Sequence, residues 1–231
     1  MKSEEQEILE YNEWKALCKA RNYHWKLYRH EIINHFINLY KYQNYLEIGV
    51  HNGTCIRLVN ADHKDGVDPG IETQLPPEVN YPITSDKFFE LLSGHDIKYD
   101  IIFIDGLHHS DQVYKDIKNS LNHITNNGTI ICHDMNPIWE ITQRRERVVG
   151  AWNGDCWKAW VKLRNEMPNL SMEVVDTDNG VGIIRMGMQK CIDIPKELNF
   201  EYLDNNRKDI LNLISIEEFY NRYKIINDPV V

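Results

Sequence analysis

The segment that decides the fold is residues 44–53, NYLEIGVHNG, in which a short apolar run ends in a turn with two glycines. A helical pattern begins directly after this turn, near Thr54. Four more apolar runs bounded by turn residues follow, and they alternate with helical patterns; they span residues 64–68, 80–85, 99–106 and 128–134. Such alternation predicts an α/β fold with a parallel sheet and helices on both faces.

The pattern changes towards the carboxyl end of this unit. Residues 172–186, MEVVDTDNGVGIIRM, predict two strands joined at Asn179-Gly180, a pair that supplies the positive φ angles of a tight hairpin. A hairpin at the end of a parallel sheet makes its last strand antiparallel. Helix N-caps are predicted at Ser85, Ser110 and Ser215.

Helical patterns flank the sheet unit on both sides. Residues 8–40 contain no Gly or Pro and carry aromatic and aliphatic residues at helical spacings, Trp14, Trp25 and Phe36 among them. Residues 202–223 are also predicted to be helical. We therefore divide the chain into a helical N-terminal appendage at 1–43, a sheet domain at 44–190 and a helical C-terminal tail at 191–231.

Composition and charge restrict the function classes. The 231 residues are 42% hydrophobic and 26% charged, which excludes a disordered chain or a coiled coil. The net charge of −9 repels nucleic-acid phosphates and anionic membranes. The chain shows no secretory signal and no apolar stretch near the roughly 18 residues of a membrane span. Five scattered cysteines without a CxxC pair are typical of a reducing compartment, so we expect a cytoplasmic protein. From its negative charge we expect it to bind neither nucleic acid nor membranes.

The turn after the first strand has the spacing Glu47-x-Gly49-x-x-x-Gly53. Glycines at such a turn let the backbone approach a ligand, and the helix N-terminus behind them favours negative charge. The pattern resembles the first motif of class I S-adenosylmethionine-dependent methyltransferases, in which this loop wraps the amino-acid part of the cofactor. A glycine turn needed only for the corner between strand and helix is the alternative.

Further positions match the same family. Asp68 ends the second strand, where the resemblance implies hydrogen bonds with the ribose hydroxyls of the cofactor. Ser85 and Asp86 follow the third predicted strand and correspond to the adenine contact. Asp105 ends the fourth strand and corresponds to a residue beside the reacting methyl group. The resemblance covers residues 44 to about 187 and implies a Rossmann-like fold with a seven-stranded sheet.

A narrower resemblance lies in residues 105–109, DGLHH, and in residues 128–134, GTIICHD. Both are similar to a subgroup that includes metal-dependent sugar O-methyltransferases of macrolide biosynthesis. By position, the resemblance implies that Asp105 and Asp134 bind Mg²⁺ or Mn²⁺ and that His108 is the general base. The chain departs from the subgroup at His133, where another carboxylate is expected, and this imidazole is a further candidate ligand.

Physical chemistry supports the same roles. Two carboxylates at neighbouring strand ends repel each other, and a cation relieves that repulsion. A hydroxyl is a poor nucleophile until its proton is removed, and histidine is suited to this near pH 7. We assign proton removal to His108 and a structural role to His109, which would turn towards the following helix. The alternative is that His108 only forms structural hydrogen bonds.

Aromatic and cationic residues follow the fifth predicted strand. Residues 152–160, WNGDCWKAW, combine aromatic faces with amide and carboxylate groups, a composition typical of sugar-binding sites. The alternative is a helix that packs its tryptophans into the core. We expect the arginines upstream to lie on a solvated face; they are Arg144, Arg145 and Arg147.

Together these patterns predict an S-adenosylmethionine-dependent O-methyltransferase that acts on a hydroxyl of a sugar or other polar small molecule, assisted by a divalent metal. Two alternatives come from other classes: an NAD(P) oxidoreductase, and a non-catalytic domain that retains the fold. The expected partner is a small-molecule or glycan acceptor. The aromatic-rich first helices are candidates for a contact within a homo-oligomer.

Overall fold

The computed structural model describes residues 4–20, 26–148 and 150–224, which form a seven-stranded sheet with helices on both faces. The strands are β1 (Asn44–Ile48), β2 (His63–Val67), β3 (Tyr99–Ile104), β4 (Ile124–Cys132), β5 (Leu170–Val175), β6 (Val181–Met186) and β7 (Leu213–Ile214). The α-helices are α1 (Glu4–Ala20), α2 (Arg29–Tyr40), α3 (Thr54–Leu58), α4 (Ser85–Leu92), α5 (Ser110–His123), α6 (Cys156–Glu166), α7 (Phe200–Leu211) and α8 (Ile216–Arg222). A short 3₁₀-helix spans Glu140–Gln143.

The strand order in the sheet is β2-β1-β3-β4-β6-β5-β7. Neighbouring strands are parallel except where β6 is involved, because β6 runs antiparallel to both β4 and β5. This strand is the second half of the predicted hairpin. The predicted Rossmann-like, mostly parallel sheet with an antiparallel hairpin strand is therefore confirmed. The two-residue β7 follows it in the chain and extends the edge parallel to β5.

One predicted strand is wrong. Residues 80–85 form no strand, and only Tyr81 makes an isolated bridge, to Val67. Pro82 has no N–H to donate to a neighbouring strand, and the amide of Ile83 turns back to the carbonyl of Tyr81 at 2.9 Å. The sheet reaches seven strands through β7, which lies in the segment that the sequence assigned to a helical tail.

Two predicted helix starts shift by one residue. Thr84 and His109 occupy the N-cap positions of α4 and α5, so that Ser85 and Ser110 are the first helical residues. The capping box predicted at Ser215 is confirmed. Ser85 and Ser110 therefore still lie near the carboxyl ends of the strands, close to the site residues.

Alternate residues of the strands fill two cores, one on each face of the sheet. In β3, Ile102 and Ile104 belong to the core covered by α4, α5, α6 and α7, whereas Ile101 and Phe103 belong to the core covered by α2, α3 and α8. Because both faces are buried, the central strands consist of nearly continuous apolar runs.

In the segment 8–40, residues 8–20 lie in α1 and residues 29–40 form α2, so the described part of the segment is largely helical as predicted. Its Trp25 lies outside the described residues. The helix α2 packs on the sheet through fully buried side chains, which are Ile32, Ile33 and Phe36. The division of the chain into three parts stays a prediction. Within the described ranges, none of the helices has the length and apolar character needed to cross a membrane.

Candidate active site

A cavity of about 1290 Å³ opens at the carboxyl ends of β1, β2, β3 and β4. Parallel strands end at the same edge of a sheet, so residues distant in sequence meet there. All of the predicted site residues except Gly53 line the cavity: Glu47, Gly49, Asp68, Ser85, Asp86, Asp105, His108, His133 and Asp134. The residues predicted for the cofactor and those predicted for the chemistry therefore share one cavity.

Gly49 joins the turn after β1 to the turn after β3. Its φ angle is 89°, and a Cβ at this position would lie 2.1 Å from the carbonyl oxygen of Asp105. Glycine is required because two backbone segments touch. This role is additional to the predicted approach to a ligand. Gly53, at a φ angle of 80°, precedes α3 as its N-cap and lies outside the cavity wall.

Glu47 lies under the loop and is only 1% exposed. It accepts a hydrogen bond from the hydroxyl of Tyr45, which lies on the same face of β1. Burial raises the pKa of Glu47 to about 8, although the hydrogen bond from Tyr45 acts in the opposite direction. Burial therefore favours the neutral form of this carboxyl group.

Asp68 links the turn after β1 to the turn after β2. Its Oδ2 accepts the amide of His51 at 2.8 Å, and its Oδ1 accepts the amide of Gly70 at 2.7 Å. Each carboxylate oxygen has a second acceptor position. Asp68 can therefore hold the loop and still receive hydroxyl groups from the cavity.

Ser85 and Asp86 are tied to helix α5. The side chain of Gln112 donates to Ser85 Oγ at 3.1 Å and to Asp86 Oδ1 at 3.0 Å. Lys115 Nζ donates to Asp86 Oδ2 at 2.5 Å. The hydrogen bonds from Lys115 and Gln112 lower the pKa of Asp86. This carboxylate is thus ionised and held in place at the cavity wall.

Three predicted residues form a tight group at the ends of β3 and β4. The imidazole of His108 lies between the two carboxylates, with Nε2 3.3 Å from Asp105 Oδ1 and Nδ1 3.3 Å from Asp134 Oδ2. Each of the three side chains offers one ligand atom, and these atoms lie within 4.8 Å of one another. Two carboxylates and one imidazole form a donor set suited to a divalent cation.

The charges in this group depend on each other. Burial would raise the pKa of Asp105, but His133, His108 and Arg29 outweigh it and hold that pKa well below its ordinary value. Burial would lower the pKa of His108, but Asp134 and Asp105 outweigh it and raise that pKa. Both carboxylates therefore favour a protonated His108 when no cation offsets their charge.

His133 occupies a different position from the other candidate ligands. Its Nδ1 lies 3.2 Å from Asp105 Oδ1 and 3.1 Å from Asp134 Oδ2. Its Nε2 lies 2.6 Å from Nη1 of Arg29 and 3.4 Å from Oδ1 of Asp178. The ring is thus enclosed by hydrogen-bonding partners on both sides.

Two further residues of the site, Arg29 and Asp178, were not predicted from the sequence. The backbone amide of Arg29 donates to Asp178 Oδ2 at 2.9 Å. The guanidinium Nε of Arg29 lies 3.9 Å from Asp105 Oδ2. Asp178 belongs to a hairpin turn, where aspartate is common for backbone reasons alone. Arg29 starts α2 among other polar residues. Neither position carries a local signal of a site.

Residues 152–155 pack against His108 and Asp134. Trp152 stacks on His108, and its carbonyl oxygen lies 3.1 Å from His108 Nδ1. Asn153 Nδ2 donates to Asp134 Oδ1 at 2.7 Å. Gly154 packs so closely that a Cβ there would lie 1.9 Å from the carbonyl oxygen of His108. This segment therefore fixes both the base candidate and one of the carboxylates.

The other two tryptophans of the segment 152–160 pack in the core, as the alternative interpretation predicted. Trp157 and Trp160 are fully buried in α6. The arginine side chains upstream are exposed as expected, and these residues are Arg144, Arg145 and Arg147. Arg147 nevertheless also lines the cavity.

His109 lies outside the cavity wall. Its ring meets Trp152 edge-on, with centroids 6.3 Å apart. As the N-cap of α5 it turns towards the helix start, where Asp155 accepts the amide of Ser110 at 2.7 Å. This position agrees with the direction expected for His109.

Residues 46–135 match a family model described as a methyltransferase domain. The chain contains a methyltransferase domain. The predicted family and enzyme class are therefore confirmed, and this outcome favours the methyltransferase interpretation over an oxidoreductase. No curated protein matches the sequence.

Solved structures show the same fold. A Staphylococcus aureus protein described as a caffeoyl-CoA O-methyltransferase is 16% identical, with a TM-score of 0.50, over 76% of this chain and 91% of that chain. The O-methyltransferase TomG from Streptomyces achromogenes, involved in tomaymycin synthesis and solved with S-adenosylmethionine, is 10% identical. Its TM-score is 0.51, over 69% of this chain and 79% of that chain. At these identities the likeness concerns the fold.

The matched part of the methyltransferase domain runs from β1 to the residue after Asp134. It therefore includes the predicted cofactor loop, residues 47–53, and the group formed by Asp105, His108 and Asp134. Arg29 and Trp152 lie outside the match, although both contact that group. The roles predicted for the individual residues stay predictions.

Proposed function

We propose that this methyltransferase transfers the methyl group of S-adenosylmethionine to a hydroxyl oxygen of a sugar or other polar small molecule, with the help of a divalent cation. The observation that carries the proposal is the shared cavity, in which the cofactor candidates and the group formed by Asp105, His108 and Asp134 face one space. At about 1290 Å³, it exceeds the roughly 300–1,000 Å³ of ordinary small-ligand sites. It has room for a cofactor and an acceptor side by side.

The cofactor half of the cavity offers suitable groups. Asp68 has acceptor positions for the ribose hydroxyls, and Ser85 and Asp86 are held at the wall by α5 for the adenine. Glu47 and Gly49 lie under the position assigned to the amino-acid part. The cofactor supplies an activated methyl group as a sulfonium.

Asp105 and Asp134 would hold the cation. Their fit rests on the donor atoms that the chain brings together at two strand ends, which lie within 4.8 Å of one another. When bound, the cation would orient the acceptor oxygen and offset the two negative charges, so that a neutral His108 becomes favourable.

His108 removes the proton of the acceptor hydroxyl. In the neutral form that the cation would favour, the carbonyl of Trp152 can accept the proton on Nδ1 as a hydrogen bond, and Nε2 is then the nitrogen that takes the proton of the acceptor. That nitrogen faces Asp105, where the resemblance places the reacting methyl group. The acceptor oxygen would lie between His108 Nε2 and the methyl group, so that the base and the methyl group are on opposite sides of it.

Aromatic rings support a sugar or a similar ring as the acceptor. Four aromatic side chains line the cavity, and these are Tyr11, Trp14, Trp139 and Trp152. Their faces can stack on a ring whose hydroxyls reach the polar groups. The five cysteines are all free, which supports the assignment to a reducing compartment such as the cytoplasm.

The test is turnover with a panel of acceptors. Purified protein with S-adenosylmethionine and Mg²⁺ is offered sugars, glycosides and phenols, and formation of S-adenosylhomocysteine is measured by mass spectrometry. We expect product only with hydroxyl acceptors. Binding of NAD(P) without S-adenosylmethionine would overturn the assignment. Cofactor binding without turnover on any acceptor would favour the non-catalytic alternative.

A further inference from the structure

The side-chain amide of Gln112 lies at the cavity wall, where helices α4 and α5 meet. Gln112 is in the first turn of α5 and lines the cavity together with Ser85 and Asp86. Its Nε2 lies 3.1 Å from Ser85 Oγ, 3.0 Å from Asp86 Oδ1 and 3.0 Å from Asp116 Oδ1. Three oxygen atoms from two helices therefore surround one amide nitrogen.

These oxygens fix the orientation of the amide. The ionised carboxylate of Asp86 has only acceptor positions, so it requires an N–H group from Gln112. A reversed amide would place Oε1 3.0 Å from an oxygen of Asp86 and 3.0 Å from an oxygen of Asp116, acceptor against acceptor. In the part of the chain that the structure describes, no group donates to Oε1. This oxygen is therefore available to a donor group of a ligand.

The neighbouring groups of the wall are acceptors as well. The hydroxyl of Ser85 donates to the buried carboxylate of Asp116, so Ser85 Oγ meets the amide of Gln112 as an acceptor. The two oxygens of Asp86 accept from Gln112 and Lys115, and each has a second acceptor position. This part of the wall thus offers oxygen acceptors and complements a ligand with a hydrogen-bond donor.

Adenine carries such a donor on its ring. Its 6-amino group has two N–H bonds, whereas a 6-oxo purine such as hypoxanthine has a carbonyl oxygen at the same position. An acceptor in the wall forms a hydrogen bond with the amino group and repels the carbonyl oxygen. A site whose polar groups match one ligand discriminates strongly against an analogue that leaves those groups unpaired.

We propose that Gln112 determines the base specificity of the cofactor site: its Oε1 accepts a hydrogen bond from the 6-amino group of adenine and so selects adenine over a 6-oxo purine. This inference rests on the proposed placement of the adenine at Ser85 and Asp86, and it adds the group that distinguishes the base. The carboxylates of Asp86 and Asp116 keep the amide in the orientation that this contact needs.

The test compares the binding of two ligands by calorimetry, without turnover. They are S-adenosylhomocysteine and its deaminated analogue S-inosylhomocysteine, in which hypoxanthine replaces adenine. We expect the wild type to bind S-adenosylhomocysteine about tenfold tighter or more. Gln112→Met lacks the acceptor and should bind S-adenosylhomocysteine about 2–12-fold more weakly. Its affinity for the deaminated analogue should stay the same or rise, so the ratio of the two affinities falls.

Lys115→Met is the matched control. Lys115 also donates to Asp86, but its side chain is 54% exposed and does not line the cavity. This substitution disturbs Asp86 and leaves Oε1 of Gln112 in place. We expect the ratio of the two affinities to equal that of the wild type, even where both affinities change together.

A wild type without a preference for S-adenosylhomocysteine would overturn the inference, and so would a folded Gln112→Met with the wild-type ratio. An equal fall of the ratio in Lys115→Met would assign the selection to Asp86 and overturn it as well. Each of these results leaves the cofactor site standing. A folded wild type that binds neither ligand would overturn the proposed cofactor placement together with the inference. Circular dichroism and thermal unfolding report whether each protein is folded.

Discussion

The indole ring of Trp152 lies over the imidazole of His108, with centroids 4.9 Å apart and planes 23° from parallel. The carbonyl oxygen of the same residue lies 3.1 Å from His108 Nδ1. One residue therefore holds the plane of the imidazole and favours a proton on its Nδ1. In catalysis by histidine these two properties decide which nitrogen acts as the base.

Loss of His108 should remove the base and leave cofactor binding intact. We expect His108→Ala to reduce turnover by about 10²–10⁴-fold with little change in affinity for S-adenosylmethionine, because a positioned base contributes that much. His109→Ala is the matched control and should cost far less, since His109 lies outside the cavity. Turnover rates and calorimetry check both variants. The reverse order of effects would show that His109 is the base.

Metal removal should abolish most of the activity. After exhaustive chelation and dialysis, we expect turnover to fall and to return on addition of Mg²⁺ or Mn²⁺, because the proposed cation, held by Asp105 and Asp134, would orient the acceptor oxygen. Asp134→Asn should show a reduced response to added metal. Full activity after chelation, with no response to metal, would show that the two aspartates serve substrate binding alone.

Gly49 should be essential for folding even in the absence of cofactor. Gly49→Ala places a Cβ 2.1 Å from the carbonyl of Asp105 at a φ angle of 89°, so we expect a loss of more than about 3 kcal/mol in the free energy of unfolding. Gly94→Ala is the control, because Gly94 has a similar φ angle of 82° but no atom within 4 Å of its Cβ position. It should lose about 1–2 kcal/mol from backbone strain alone. Urea unfolding of the ligand-free proteins measures both, and equal losses would contradict the backbone contact.

Asp116 should make the fold less stable as the pH rises. Burial raises its pKa to about 6, so the folded state binds a proton that the unfolded state releases near pH 4. The resulting penalty is absent well below pH 4, grows between about pH 4 and 6, and is complete above that range. Asp116→Asn removes it, and we expect this variant to gain about 2–3 kcal/mol over the wild type between pH 4 and pH 7.5.

Urea unfolding at the two pH values measures this gain. Asp96→Asn is the control, because the Asp96 side chain is 93% exposed. Its stability relative to the wild type should be the same at both pH values. A pH-independent difference for Asp116→Asn would show that the carboxyl group is ionised in the folded protein.

Much of the site could be predicted because its residues directly follow strands. Asp105 and Asp134 end two apolar runs, and the neighbouring position of those runs in a parallel sheet places the side chains together. His108 lies three residues after Asp105, within reach of the same edge. These are local patterns combined with one rule of sheet topology.

Other parts depend on contacts between distant positions. Arg29 meets His133 across 104 positions and Asp178 across 149, and nothing in the surrounding sequence indicates either pair. The strand predicted at 80–85 is absent for a local reason, because Pro82 has no N–H to donate to a neighbouring strand. The edge strand β7 was not predicted because two residues carry no periodicity.

The separation of Arg29 from Asp178 also has a consequence for synthesis. A chain that grows from its N-terminus exposes Arg29 early, whereas its partner emerges 149 residues later. At the usual rate of about 5–20 residues per second, about 7–30 seconds pass between the synthesis of Arg29 and that of Asp178. The strand β6, which pairs with β4, is made only after Asp178. The carboxylate cluster is therefore completed late, once the hairpin has left the ribosome, and a prematurely terminated chain carries the matched segment 46–135 without a finished site.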